Sequence, residues 1–430
     1  MSRDMKYSGI PWIGDIPKDW DIENIGSCLK EVHNLNSDCS EDNALQFKMG
    51  TIISKKHGDS KYNPETLEAY NKVQVGDIVI NGLNLSFDFI SMRVGQVKEN
   101  GVITSAYLTV RPLSHLDSAY VTYLFKGYDA CKALHGMGKG LRQTLSYKEF
   151  RKYLIFHPSL SEQKKIASFL DRKCAEVDEM IALQERIVDE LKAYKQSVIT
   201  EAVTKGLNPD VPMKDSEVMF FNRIPLHWKE TKTLRLLKMP ITDGPHETPE
   251  NVENGIPFIS ADAVSDGYIN FDNKWGLISK EYYEECCKKY TPQREDIYMI
   301  KSGASTGRTA IVETDEIFTI WSPLAVFRAN QEMILPYYLL YVLKSEGYQK
   351  QVENKWSYGT QQNIGMRTLE KLIICYPSLE EQRCIVDYLN NQCSKIDSLI
   401  NIKLSKIESL KEYKKSIIYE YVTGKKEVIE

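Results

Sequence analysis

The chain has 430 residues, 42% hydrophobic and 27% charged, with a formal net charge of −4. That length exceeds one ordinary core and calls for two or more domains, and the composition excludes a disordered or fibrous chain. Mild acidity excludes a uniformly basic coat but not nucleic-acid binding, which local stripes of charge govern.

No apolar run approaches the roughly 18–20 residues that span a bilayer, and the opening MSRDMKYSG lacks the apolar core of a signal peptide. The nine cysteines are odd in number and form no CxxC pair, which reads as the reduced thiols of a cytoplasmic protein. Cys286 and Cys287 adjoin without metal-site spacing, and the seven histidines, at 33, 57, 115, 135, 157, 227 and 246, are scattered, so no metal is expected.

In chain order, DIPKDW (15–20) opens the first element. β-Branched and aromatic runs follow, VGDIVING (75–82) and VITSAYLTV (102–110), and predict strands of a mixed, mainly β domain. Around them lie polar loops containing glycine: SKKHGDSK (54–61), NGLNLSFDFISMR (81–93) and GMGKGLRQ (136–143). At Pro158 a long helix begins. Ser159 and Glu162 have capping-box spacing, no Gly or Pro interrupts the run, and Gly206 and Pro209 stop it.

After a linker at 206–222 the pattern restarts. RIPLHW (223–228) answers DIPKDW, and GIPFIS (255–260), EDIYMI (295–300) and IFTIWSPLAVFRA (317–329) predict strands. YYLLYVLK (337–344) resembles AYVTYLFK (119–126). The polar loops are DGPHETP (243–249), KSGASTGR (301–308) and SYGTQQN (357–363). A second long helix opens at Pro377 with Ser378 and Glu381, and Gly424 ends it.

Aligned at an offset of 219, residues 158–204 and 377–423 are identical at 19 of 47 positions, which marks a duplication. Apolar residues recur at 3-4 spacing: Ile166, Leu170, Val177, Met180, Ile187, Leu191, Tyr194 and Val198, then Ile385, Leu389, Ile396, Leu399, Leu410, Tyr413 and Ile417. At about 1.5 Å per residue each helix is a rod of roughly 65–70 Å. A compact domain cannot bury such a seam, and pairing of the two copies, antiparallel, can. The expected fold is α+β, with two mixed, mainly β domains separated by two long antiparallel coiled-coil helices in a pseudo-twofold repeat. On residues alone, the helices suit a generic oligomerisation hairpin as well.

No HExxH, Walker-A or GxSxG motif is present, nor a methyltransferase cofactor loop or an Asn/Asp-Pro-Pro-Tyr/Phe tetrapeptide. SGASTGR (302–308) has the wrong glycine spacing for a phosphate loop, with Arg308 where Lys is needed. The chain therefore reads as non-catalytic. Its polar loops carry Lys, Arg, Gln, Asn, Ser and Tyr, the side chains that contact phosphates and base edges. Any single surface loop has such a composition. Three per domain in a duplicated chain point to nucleic acid.

Taken together, the Ile-Pro-x-x-Trp openings (Ile16–Trp20, Ile224–Trp228), the paired Pro-Ser-Leu-x-Glu-Gln helix starts, the helix ends LKAYKQSVITEAVTKG and LKEYKKSIIYEYVTGK, and GIPFIS, KSGASTGR and YGTQQNIG resemble the specificity subunit of type I restriction-modification systems, over nearly the whole length. The resemblance implies target-recognition domains at 1–157 and 223–376, spacer helices at 158–205 and 377–424, and a tail at 425–430. It implies a bipartite, asymmetric site on double-stranded DNA with one half read per domain. The implied partners are two modification subunits, which carry S-adenosylmethionine and methylate adenine, and restriction subunits for translocation and cleavage. The chain itself would hold no cofactor and touch no membrane.

Loop chemistry then nominates Lys301, Ser305, Thr306 and Arg308 at the DNA, with His246, Tyr358, Gln361, Gln362 and Asn363 nearby. In the first domain it nominates Lys139, Arg142 and Gln143, joined by Arg93, Lys55 and Lys56. That domain has no clear counterpart of DGPH or of the Ser-Gly-x-Ser-x-Gly loop, and NGLNLSFDFISMR stands there instead. Two other readings stand beside this one: the recognition subunit of a type IIB-like fused system, and a coiled-coil scaffold that binds no nucleic acid.

Overall fold

Free of helix breakers, the repeated segments fold as two long helices, Leu160–Lys205 and Leu379–Val422. The computed structural model describes residues 3–55, 64–87, 89, 92–140, 143–218, 220–358 and 362–428. Contacts divide the chain into two units, residues 1–185 with 405–430, and residues 186–404. Each unit thus holds one mainly β domain, the first half of the helix that follows it, and the last half of the other helix.

In the first unit a four-stranded antiparallel sheet has the order Leu29–Glu31, Leu108–Pro112, Ile78–Ile80, Val94–Gln96. Helix Ser118–Ala130 packs with it in one core that also takes Ile166 and Leu170 from the first long helix and Ile418 and Val422 from the second. In the second unit a five-stranded sheet has the order Thr242–Asp243, Leu324–Phe327, Ile297–Ile300, Thr309–Ile311, Gly267–Tyr268. Its core takes Val198, Ile199, Ala202 and Val203 from one long helix and Ile385, Leu389 and Cys393 from the other. Fully buried Leu170 and Leu389 each contribute about 1.5–3 kcal/mol.

Repeated identities make matching contacts. Gln163 is buried; its Nε2 donates to the carbonyls of Pro158 (2.9 Å) and His115 (3.1 Å), and its Oε1 accepts from Asp117 N–H (2.7 Å). Gln382 does the same with Pro377, Met333 and Leu335, at 3.1, 3.0 and 2.8 Å. One glutamine therefore fastens each helix start to its domain. Within the first unit Lys414 meets Asp178 at 2.6 Å, and within the second Lys195 meets Asp397 at 2.8 Å. These are the same two repeated residues with their roles exchanged, and both pairs join antiparallel segments. As half-exposed pairs they are worth little in stability, roughly 0.2–1 kcal/mol, but they mark the register.

The caps differ from the capping-box expectation. Ser159 and Ser378 Oγ accept from the N–H of Glu162 and Glu381 at 3.4 and 3.3 Å. The glutamate side chains turn outward, Glu162 to Arg3 (2.7 Å) and Glu381 to His227 (2.9 Å) and Trp228 Nε1 (3.0 Å).

The seam also differs in part. Ile166, Leu170, Val177, Ile385, Leu389, Ile396, Leu410 and Ile417 are buried, and Ile187 and Leu191 are half-buried. Met180, Tyr194, Leu399 and Tyr413 are exposed, while Cys174, Val188, Cys393, Ile400 and Ile407 are buried. A helix of 3.6 residues per turn rotates about 20° per heptad away from a strict 3.5 repeat, so the covered stripe shifts along its length.

The Ile-Pro-x-x-Trp openings receive helix ends. Trp20 is buried against Gly424, and Trp228 against Gly206, so each tryptophan stands at the last turn of the helix copy that does not follow its own domain. Both glycines have positive φ, +68° and +76°. A Cβ on Gly424 would lie 2.3 Å from Pro17 Cδ, whereas one on Gly14 (φ +71°) would meet nothing within 4 Å.

Two stability predictions follow from these joints, both read by urea unfolding. Gly14→Ala should cost about 1–2 kcal/mol from left-handed strain alone, and Gly424→Ala clearly more, because Pro17 must also move. Gln163→Leu strands the Asp117 N–H and the His115 carbonyl, at roughly 1–3 kcal/mol for each group left buried and unpaired, while the Pro158 carbonyl keeps His157 Nδ1. A cost below 1 kcal/mol would show that the glutamine is not a fastening.

Candidate nucleic-acid interface

In the second unit the loops singled out by sequence come together. Strands Ile297–Ile300 and Thr309–Ile311 pair antiparallel, which makes 301–308 a hairpin tip. Gly303 and Gly307 supply φ of +98° and +92°, and Thr306 Oγ1 donates to the Gly303 carbonyl at 2.7 Å. Gly303 N–H donates to the Gln362 carbonyl (3.0 Å), Ile364 N–H to the Lys301 carbonyl (2.9 Å), and Ser302 bridges Asn363. The hairpin of Ser357–Tyr358 with Gln362–Asn363 is thereby tied to the 301–308 tip.

Asp243 ties in the third loop. Its carboxylate is buried and accepts from Lys301 at 2.8 Å and from Lys289, and His246 Nε2 stands 3.3 Å from it. Burial pushes the carboxyl pKa up, but the hydrogen bonds and charges of Lys289 and Lys301 outweigh burial and hold it below the ordinary value. Lys301 is largely covered and its charge is spent on Asp243. Arg308 and His246 are exposed, Ser305 and Thr306 are half-buried at the tip, and among the described residues Arg308 makes no ion pair. A cluster of this kind offers an unpaired guanidinium, an imidazole, hydroxyls and amides on a fixed backbone, the donor set for phosphates and base edges.

The first unit builds a related cluster. Lys139 and Thr144 exchange backbone hydrogen bonds at 3.2 and 3.0 Å, and Gln143 has φ +43° and is exposed. Leu145 N–H donates to the Gly82 carbonyl at 2.9 Å, the same bond at the same offset of 219 as Ile364 to Lys301. Lys139 is exposed and pairs with Glu149 at 2.9 Å.

Other nominated residues lie elsewhere. Lys55 follows the hairpin of Leu45–Lys48 with Thr51–Ser54, its ammonium 5.7 Å from the centre of the Tyr70 ring. Arg93 is fully buried; its guanidinium donates to the carbonyls of Asn81 (3.0 Å) and Leu83 (2.9 Å), so it shapes the 81–85 loop from beneath. Lys56, Arg142 and Gln361 lie outside the described residues, and of Tyr358 only the backbone is described.

Sequence reasoning passed over the apolar side chains here. Phe87 is 76% exposed, and Phe89, Met92 and Met49 also face solvent. The sequence misleads here, since Leu83, Leu85, Phe87 and Phe89 alternate with polar residues as a half-buried strand would, whereas the backbone turns at 85–87, burying Leu85 and leaving Phe87 uncovered. Among the described residues no helix is long and apolar enough to cross a membrane.

Three comparisons bear on this geometry. Residues 238–424 match the family described as the type I restriction modification DNA specificity domain. The chain is 23% identical over 421 residues to the MjaVIII specificity subunit of Methanocaldococcus jannaschii, covering 96% of this chain and 94% of that protein. It is 28% identical over 261 residues to the EcoBI specificity subunit of Escherichia coli, covering 59% and 54%. Among solved structures, a chain from work on complex assembly and conformational transition of the type I R-M system superposes with a TM-score of 0.67 at 16% identity, covering 95% of this chain and 98% of that one, a likeness of fold. Through the repeated helices, the two domains and these matches together, the chain is similar over nearly its whole length to type I restriction-modification specificity subunits, and its residues 238–424 match that family's DNA specificity domain.

Proposed function

We propose that this chain is the non-catalytic subunit that reads DNA for a type I restriction-modification enzyme. Residues 1–157 and 223–376 are the target-recognition domains, 158–205 and 377–424 the spacer helices, 206–222 the linker and 425–430 the tail. Each domain reads one half of an asymmetric bipartite site, and the helices set the gap between the halves. Two modification subunits carrying S-adenosylmethionine dock on this frame and methylate adenine, and restriction subunits join for translocation and cleavage. Flipping of the target base belongs to the modification subunits.

The observation that carries this reading is the joining of loops 243–246, 301–308 and 357–363 around Asp243, with a loop joint at the same offset in the other unit. The surrounding loop sequences differ, as two unlike half-sites require. Arg308, Ser305, Thr306, His246, Gln362 and Asn363 are the contact residues of the second domain. Lys139 and Gln143 are those of the first, with Phe87 available for a thymine methyl or a base step.

Arg308→Ala should weaken binding to the cognate duplex by roughly 1–3 kcal/mol, the value of a bidentate base contact, at a salt concentration held fixed. Unchanged affinity would remove Arg308 from the interface. The ruler is tested separately. One heptad added to the middle of both long helices lengthens each by about 10.5 Å, close to three base pairs at about 3.4 Å each. Mapping N6-methyladenine across the genome should then show the same half-sites with a longer gap, and an unchanged gap would refute the spacing role.

A further inference from the structure

In the first unit, away from the interface loops, strand pairing gathers three residues that are remote in sequence. Strands Asp21–Asn24 and Leu154–His157 run antiparallel with Glu23 opposite Ile155, so Glu23 and His157, two positions further on, share one face. His115, in the turn before helix Ser118–Ala130, closes the group. Glu23 Oε1 lies 2.9 Å from His157 Nε2 and 3.3 Å from His115 Nε2, and one ligand atom from each of the three falls within 4.8 Å of the others.

Both ring nitrogens of His157 face oxygen atoms, one on each side of the ring. His157 Nδ1 stands 3.1 Å from the Pro158 carbonyl, which can only accept, so Nδ1 carries the proton. The neutral ring then aims the lone pair of Nε2 at a carboxylate, which also only accepts. That approach needs either a second proton on the ring or a cation shared between the two. An imidazole whose far nitrogen donates to a carbonyl is the usual support of a ligating histidine, and Ser27 Oγ, 3.4 Å from the other Glu23 oxygen, supports the carboxylate. Bonds of about 2.0–2.2 Å at tetrahedral or square angles place neighbouring ligand atoms about 3–3.5 Å apart, close to the two separations here. His157 is 6% exposed, Glu23 31% and His115 43%, so the group is anchored at one end and open to a water at the other.

We propose that Glu23, His115 and His157 form a binding site for a divalent transition-metal ion, with zinc as the ion that two imidazoles and a carboxylate suit best. The ion would clip two strands and a turn beneath the first long helix. The carbonyls of His115 and Pro158 are the acceptors of Gln163, so the site adjoins the fastening of that helix. Among the described residues the second unit has no such group. Thr231, opposite Ile374, stands where Glu23 does, Tyr376 matches His157 at the offset of 219, and Met333 supplies the carbonyl that His115 supplies here. The glutamine joint there is complete without it. The metal is therefore a property of the first unit and not of the shared frame.

The test uses the full chain, stripped with EDTA and titrated with zinc and, separately, with cobalt(II). Wild type should retain one zinc equivalent after dialysis, and the first unit should unfold at a higher temperature with zinc than without. Cobalt should give a visible band without thiolate charge transfer, which separates the site from the nine cysteines. His115→Ala, a half-exposed position, and Glu23→Gln should each weaken zinc binding at least tenfold. No retained equivalent in wild type, thiolate ligation of the cobalt, or weakening of less than tenfold in both variants would overturn the site and leave a protonated histidine–glutamate pair. None of these readouts depends on DNA, so the reading of the interface stands or falls separately.

Discussion

A helix of more than forty residues carries an apolar stripe longer than the domain at its start can cover, and everything else in this chain follows from where the surplus goes. The first half of each long helix is buried with the domain that precedes it, and the second half with the other domain. Repeated residues then acquire two settings each. Asp178 and Lys195 sit on one helix and Asp397 and Lys414 on the other, so two exchanged pairs define an antiparallel register. Duplication supplies that complementarity without further invention, because any pair that suits one crossing suits its image.

The framework and the loop clusters differ in how they use charge and polarity. Gln163 and Gln382 are buried and fully engaged, and their worth lies in the groups that would be stranded without them. Asp77 with Arg111 and Asp296 with Arg328 repeat the same economy where internal strands of each sheet begin and end, each aspartate also accepting from the N–H three residues before it. Around the loops the pattern reverses. Asp243 consumes Lys289 and Lys301 to hold the backbone, which leaves Arg308 available at the rim.

Much of this was legible in the sequence because it repeats. The offset of 219 located both helices and the loop pair ending in Gln143 and Gln362, and the shared Ile-Pro-x-x-Trp pattern located the tryptophan openings. What repetition could not convey was the partner of each repeated residue. Trp20 reads as the start of its own domain, and only the fold shows it standing against Gly424, some four hundred residues later. Arg93 has the chemistry of a DNA contact, but its place beneath the 81–85 loop depends on carbonyls that no spacing rule announces. The Glu23, His115 and His157 group is invisible for the same reason, since strand register alone joins it. The exposed tyrosines at 194 and 413 were misplaced because a fixed 3-4 pattern takes no account of the slow rotation of a straight helix.

The division of the chain also bears on time. Unit two is a single continuous stretch, residues 186–404, whereas the core of unit one includes Ile418 and Val422. During synthesis the first domain must therefore wait for its last layer until about 220 further residues have been made, on the order of 10–40 s at about 5–20 residues per second. Throughout that interval Trp20, Tyr120 and the apolar face of residues 160–185 lack the helix end that covers them in the finished protein. The half of the molecule made first is thus the half completed last, and it is the half that most needs protection on the ribosome.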